Sequence, residues 1–292
     1  MRRILFVMLF LLGSSALEAQ EDLLNLLSDH EDQGPERVTA TFKTTRIMNG
    51  HSIERTPAGQ FDFRISHRFG KINSGFYEFF GLDQATMHLG LEYGITDWLM
   101  VGLGRSSYEK TFDGFAKFSL LRQSTGTKAI PVSVSIFSSL ALRTVDLPQP
   151  PGSSWFDSRL ATVNQLLIGR KFNQTFSLQL TPTWLHRNLV DYGTDPNNIL
   201  ALGTGGRIKL AKRISLNAEY YLIANPQTYR NEEIRNPLTL GFDIETGGHV
   251  FQLLFTNSRS MIEKGFIGET TGSWSNGDIY FGFNLLRVFT VR

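Results

Sequence analysis

Beginning at Phe61, apolar and polar side chains alternate one by one through stretches of roughly ten residues, each closed by a turn or a polar loop. In the first stretch Phe61, Phe63, Ile65 and Phe69 fall on one side of an extended chain, and Asp62, Arg64, Ser66 and Arg68 on the other. The arrangement recurs in Met87, Leu89, Leu91 and Tyr93 against His88, Gly90 and Glu92, and in Leu238, Leu240, Phe242 and Ile244 against Thr239, Gly241, Asp243 and Glu245. A helix would space its apolar residues three and four apart, and a strand buried on both faces would be apolar throughout. The pattern therefore describes strands with one apolar and one polar face.

About twelve strands are predicted, over residues 60–70, 85–94, 97–106, 111–122, 130–143, 158–170, 175–187, 198–210, 213–224, 237–245, 249–258 and 277–287. Residues 159–170 alternate poorly, so the register of that strand is the least defined. Short links at 95–96, 171–174, 211–212 and 246–248, and a longer one at 124–129, alternate with polar stretches at 71–84, 144–157, 188–197, 225–236 and 259–276. The link at 107–110 breaks that rule of length. An even number of strands, with long loops at one rim and short turns at the other, is the layout of bacterial outer-membrane barrels, whose short turns face the periplasm. The expected fold class is all-β: an antiparallel transmembrane β-barrel of about twelve strands, with both termini periplasmic.

Periodicity does not say whether the apolar face looks outward to lipid or inward to a dry core, as in a soluble sandwich or lipocalin-like barrel. The charges favour outward. With polar faces inward, the lumen is lined by Asp62, Arg64, Arg68, His88, Glu92, Asp113, Lys117, Arg143, Arg207, Lys209, Glu219, Asp243 and Glu245, too many ionic groups for a dry core. Their mixed signs suit either a salt-bridged, filled interior or a narrow aqueous pore. Aromatics fall where two interfacial girdles would need them: Phe61, Tyr93, Trp98, Phe172, Phe176 and Phe251 beside short turns, and Phe69, Phe112 and Trp184 beside loops.

At the N-terminus, Arg2 and Arg3 precede an apolar run from Ile4 to Leu12 and small residues at Ser14, Ser15, Ala16 and Ala19, the layout of a secretory signal peptide. That run falls far short of the ~20 residues a spanning helix needs, and no later run approaches it. The chain divides into a signal peptide (1–19), an N-terminal extension (20–59) and the barrel (60–292). The 292 residues carry a formal charge of only +2 with Lys and Arg scattered, which gives no support to nucleic-acid binding. The absence of Cys excludes disulfides, thiolate metal sites and a lipid-modified N-terminal Cys, and the six dispersed His residues show no metal-ligand spacing. No metal or other cofactor is implied.

Two readings of the extension stand side by side. Leu23, Leu24, Leu26 and Leu27 suit one or two helical turns, and residues 38–47 read as a strand leading into the turn signal Asn49-Gly50. Residues 41–54 then either fold into the lumen as a plug, with Lys43, Arg46 and His51 meeting the lumen acids, or form an extra strand or periplasmic arm. Signals for catalysis are weak. His51-Ser52 lacks the order found in barrel lipases, and Gly203-Thr204-Gly205-Gly206 has no βαβ unit around it to make a phosphate loop.

The stretches Phe42-Lys43-Thr44-Thr45-Arg46-Ile47-Met48-Asn49-Gly50-His51-Ser52-Ile53-Glu54, Phe61-Asp62-Phe63-Arg64-Ile65-Ser66-His67-Arg68-Phe69-Gly70, Phe79-Phe80-Gly81-Leu82-Asp83-Gln84-Ala85 and Leu91-Glu92-Tyr93-Gly94-Ile95-Thr96-Asp97 resemble a β-barrel family of Bacteroidota, domain of unknown function five-seven-seven-seven. The resemblance runs from about Val38 to the end. It implies an outer-membrane barrel and carries over no functional residue. Phe289 is similar to the aromatic C-terminal insertion signal of such barrels, although Thr290, Val291 and Arg292 follow it.

The leading expectation is passive passage of small polar or charged solutes through the cell outer membrane, without enzymatic activity. The alternative is a non-conducting barrel that anchors a periplasmic or surface partner. Expected partners are outer-membrane lipid and a periplasmic protein bound through the N-terminal arm.

Overall fold

The computed structural model describes residues 36–146, 152–190, 197–224, 228–229 and 232–290. The expected signal peptide and the run at Leu23, Leu24, Leu26 and Leu27 lie outside these residues. Twelve strands follow one another: β1 (Gln60–Lys71), β2 (Ala85–Gly94), β3 (Leu99–Ser106), β4 (Thr111–Leu121), β5 (Ser133–Arg143) and β6 (Leu160–Lys171). Then come β7 (Phe176–Arg187), β8 (Asn198–Ala211), β9 (Ile214–Ile223), β10 (Leu238–Thr246), β11 (His249–Thr256) and β12 (Tyr280–Thr290). Each pairs antiparallel with the next, and β12 returns to β1 with Phe289 opposite Phe61 and Leu285 opposite Ile65. Closure leaves no strand edge unpaired, the condition for β-structure in hydrocarbon.

Every strand coincides with a sequence expectation to within a few residues. The largest shift is at the end, where β12 covers Tyr280–Thr290 in place of 277–287. Gln60 stands opposite Thr290, so the barrel begins and ends at the rim that carries the short turns. The long loops gather at the opposite rim, and the loop after β11 contains a short helix, α1 (Glu263–Gly268).

Burial is inverted relative to a soluble barrel. Leu103 is 73% exposed, and Leu89, Leu91, Leu200 and Leu222 are exposed with it, while Arg68 is 0% exposed and Arg64 and Lys117 are buried. The apolar face therefore looks outward. Strand β6 explains its own weak alternation, because its inward residues include the apolar Ala161, Val163 and Leu167. Something apolar inside the barrel covers them.

The strand expected over residues 38–47 is absent. A two-residue ladder pairs Glu36–Arg37 with Ser124–Thr125. Residues 38–45 then run irregularly until Arg46 forms a single bridge with His51 around the Asn49-Gly50 turn. The reason is geometric: barrel strands already satisfy one another, so a segment among them finds no free ladder and bonds to side chains instead.

The inversion carries a testable consequence. Leu103→Lys, on the outward face near the middle of β3, is expected to destabilise the barrel in phosphatidylcholine vesicles by about 2–4 kcal/mol, read from urea unfolding. Leu103→Ala should cost clearly less.

Candidate functional site

The inward face is a lining of ionic and amide side chains. Asp62, Arg64, Arg68, His88, Glu92, Lys117, Arg207, Glu219 and Asp243 are buried there, and Asp113, Arg143 and Glu245 are half-buried. Lys209 departs from expectation: it is exposed at the short-turn rim, where β8 draws level with turn residue Thr175 and the pairing shifts by a bulge. His88 Nε2 reaches Asp113 Oδ1 at 2.8 Å across the intervening β3. Gly104 makes this possible, since a Cβ there would stand 2.4 Å from the imidazole.

Residues 41–54 lie among these side chains, and much of their backbone is bonded by the wall and part of it within the segment, as in Ile47 N–H to Gly50 O and Ser52 N–H to Thr45 O. The Glu219 carboxylate accepts the N–H groups of Asn49 (2.8 Å), Gly50 (3.1 Å) and Met48 (3.4 Å). Lys117 Nζ donates to the carbonyls of Glu54 (2.5 Å), Ser52 (3.1 Å) and Thr45 (3.3 Å). Gln179 donates to His51 O (2.8 Å), Gln252 to Ile47 O (2.9 Å), Asn284 to Met48 O (3.0 Å) and Arg207 to Ala40 O (3.1 Å). Opposite ends of the same hairpin are thus held by one carboxylate and one ammonium.

Of the segment's own charged residues, Lys43 meets Glu245 at 2.6 Å, and Arg46 meets Glu92 at 3.7 Å and Glu263 at 3.1 Å. His51 differs from the expectation of an acid partner. Its Nδ1 lies 3.4 Å from Lys117 Nζ, and its ring sits against Phe115 (4.4 Å) and Phe137 (4.2 Å). Ser52 Oγ donates to Thr44 O at 2.6 Å, so His51 and Ser52 do not form a nucleophile and base pair.

A second insert enters from the long-loop rim. Residues 260–270 are buried throughout, and Glu263 of α1 is the carboxylate that Arg46 meets at 3.1 Å. Lys264 pairs with Glu109 (3.3 Å) and Glu269, and Arg143 pairs with Glu109 (3.6 Å). Two apolar clusters seat the inserts: Phe42, Ile47 and Ile53 with Phe137 and Leu167, and Phe266 and Ile267 with Val163, Leu185 and Ile199. These apolar residues were missed from the sequence. Their signal was the broken alternation of β6 and the inward glycines, since a Cβ on Gly205 would stand 2.2 Å from Ile47 Cδ1 and one on Gly169 3.0 Å from Ile53.

A family model described as a membrane-bound β-barrel domain, domain of unknown function five-seven-seven-seven, matches residues 42–289. The chain belongs to this family. The match runs from the lumenal segment into the last strand of the barrel. No curated protein matches it. Among solved structures it is similar to the NanC porin (7% identity, TM-score 0.46, covering 80% of this chain and 100% of that one). It is also similar to an outer-membrane channel from Pseudomonas putida F1 (12% identity, TM-score 0.49, 81% and 98% covered). A third is OmpF of Salmonella typhi in complex with daunomycin (7% identity, TM-score 0.39, 79% and 97% covered).

Removing the carboxylate that holds the hairpin tip should loosen it. Glu219→Ala leaves three buried N–H groups without their acceptor and is expected to lower the local opening free energy by about 1–3 kcal/mol. Hydrogen exchange at Met48, Asn49 and Gly50 should accelerate by about fivefold or more, while amides of the barrel ladders keep their protection.

Proposed function

We propose that the protein is an outer-membrane barrel forming a passive channel for small polar or charged solutes, held closed at rest by residues 41–54. The short-turn rim then faces the periplasm, as in bacterial barrels generally. The observation that carries this reading is the chemistry of the contact between segment and wall. Carboxylate, ammonium and amide side chains hold the backbone of residues 41–54 by hydrogen bonds. Water replaces such bonds at a net cost of about 0.5–1.5 kcal/mol for each amide partner and about 1.5–3 kcal/mol for each charged one. Once the segment leaves, the same wall is a hydrophilic pore lining of mixed sign.

A second reading has its own support. Phe42, Ile47 and Ile53 pack on Phe137 and Leu167, which resembles a small permanent core more than a water-filled passage. A barrel closed for good would serve as an anchor for a periplasmic or surface partner. Neither reading assigns a catalytic residue.

Planar-bilayer recording separates the two. The full protein is expected to be silent, and a variant lacking residues 21–58 is expected to show single-channel steps, which become larger when residues 259–271 are also removed. Silence in both deletion variants, with the barrel intact by circular dichroism, would discard the channel and leave the anchor.

A further inference from the structure

At the short-turn rim three guanidinium groups from three separate parts of the chain converge. Arg37 is fixed by the short ladder in which it stands opposite Ser124, and the next residue, Val38, donates its N–H to Gln123 O at 2.8 Å. Arg55 follows the lumenal hairpin, and its Nε donates to Asp97 O in the β2–β3 turn at 2.5 Å. Arg122, at the end of β4, donates its Nη2 to that same carbonyl. Two cations thus share one neutral acceptor. Among the described residues no carboxylate lies within ion-pair distance of any of the three.

These groups surround a cavity of about 130 Å³, to which Thr39, Thr41, Ser119, Ser133 and Ser135 also contribute. That is the volume of about four waters at ~30 Å³ each, room for a tetrahedral oxyanion with a water or two. Glu54 borders the cavity as well; its carboxylate accepts the Phe42 N–H at 3.2 Å and offsets part of the Arg55 charge, leaving the three guanidiniums in excess. An adjoining cavity of about 410 Å³ runs past Arg37 and Arg122 to Trp98 and Leu120, both exposed on the outer face of the barrel. The guanidiniums are therefore reachable from the rim and from the side.

Arg37 is exposed and Arg55 and Arg122 are half-buried, so three like charges meet with only Asp97 and Glu54 among the described residues nearby to offset them, and a further anion would be favoured. Burial lowers the Arg55 pKa from its usual value and the Arg122 charge lowers it further, against an opposing pull from Glu54 and Asp97; Arg122 is lowered by burial and then by Arg37, against Asp97. Planar forks and hydroxyls around a small cavity are the donor set that suits the oxygens of a phosphate.

We propose that Arg37, Arg55 and Arg122 form a binding site for a phosphate group, supplied either by inorganic phosphate or by the headgroup of an anionic phospholipid. Bound there, the anion ties the residues flanking the lumenal hairpin, Arg37 before it and Arg55 after it, to the barrel rim at Arg122. The site stands apart from the question of conduction, so a silent bilayer recording does not bear on it.

The test uses the full chain in neutral detergent. Inorganic phosphate is titrated against chloride of equal ionic strength and followed by calorimetry, and binding of phosphatidylglycerol against phosphatidylcholine is followed by native mass spectrometry. The doubly substituted Arg55→Gln, Arg122→Gln protein is expected to bind at least about tenfold more weakly than wild type, and the Arg55→Lys, Arg122→Lys protein to retain part of the affinity. Saturable phosphate binding identifies the free ion as sufficient. Preference for phosphatidylglycerol without phosphate binding identifies the headgroup. Absence of both, or either one unchanged by the glutamine pair, overturns the proposal; the lysine pair guards against a variant that merely fails to fold.

Discussion

Backbone placed inside a closed barrel is cut off from bulk water, so the N–H and C=O groups of an irregular lumenal segment need partners from the wall or from the segment itself. Residues 41–54 meet this condition without forming a sheet. The N–H groups of Met48, Asn49 and Gly50 end on Glu219, those of Ile47 and Ser52 on carbonyls of the segment itself, and several of its carbonyls on Lys117, Gln179, Gln252 and Asn284. Glu219 and Lys117 of the inward face, with the amides of Gln179, Gln252 and Asn284, are therefore caps for another segment's backbone, while Glu92 and Glu245 pair with its Arg46 and Lys43 side chains. This accounts for fully buried residues such as Lys117, whose ammonium faces carbonyl oxygens of the segment.

The strands themselves were legible because period two is imposed by geometry and one face had to be apolar. The Phe61–Phe69 and Met87–Tyr93 alternations survive unchanged as outward faces, and the switch between short and long links marks the two rims. Arg64, Glu92 and Glu219 were legible as inward residues for the same reason. Lys209 was misread because alternation does not say where the lumen stops and solvent begins.

Other features were hidden because they depend on contacts far apart in the chain. Phe137 and Leu167 read as ordinary apolar strand residues, and only the presence of Ile47 and Ile53 inside the barrel makes them inward. The expected strand over 38–47 failed for a related reason: local propensity was adequate, but no free edge exists in the lumen to pair with it. Residues 260–270 gave no periodic signal, being too short a helix and too polar a loop, yet Phe266 and Ile267 bury against β6, β7 and β8.

The two inserts differ in what holds them, and this sets the direction of any opening. Helix α1 is seated by Phe266 and Ile267 on Val163, Leu185 and Ile199, area that water penalises by about 25 cal/mol per Å² when exposed, and by the ion pairs of Glu263 and Lys264. The hairpin combines such contacts at Phe42, Ile47 and Ile53 with backbone bonds that water can replace. Arg46 couples the two, since its guanidinium meets Glu263 of the loop and Glu92 of the wall at once. Withdrawal of the hairpin toward the short-turn rim would leave both carboxylates to incoming water, which solvates anions well. Withdrawal of α1 first would instead leave apolar wall exposed with Arg46 still inside. The hairpin's backbone bonds are thus the contacts of the two inserts that water replaces most readily, while Phe42, Ile47 and Ile53 hold it against the wall.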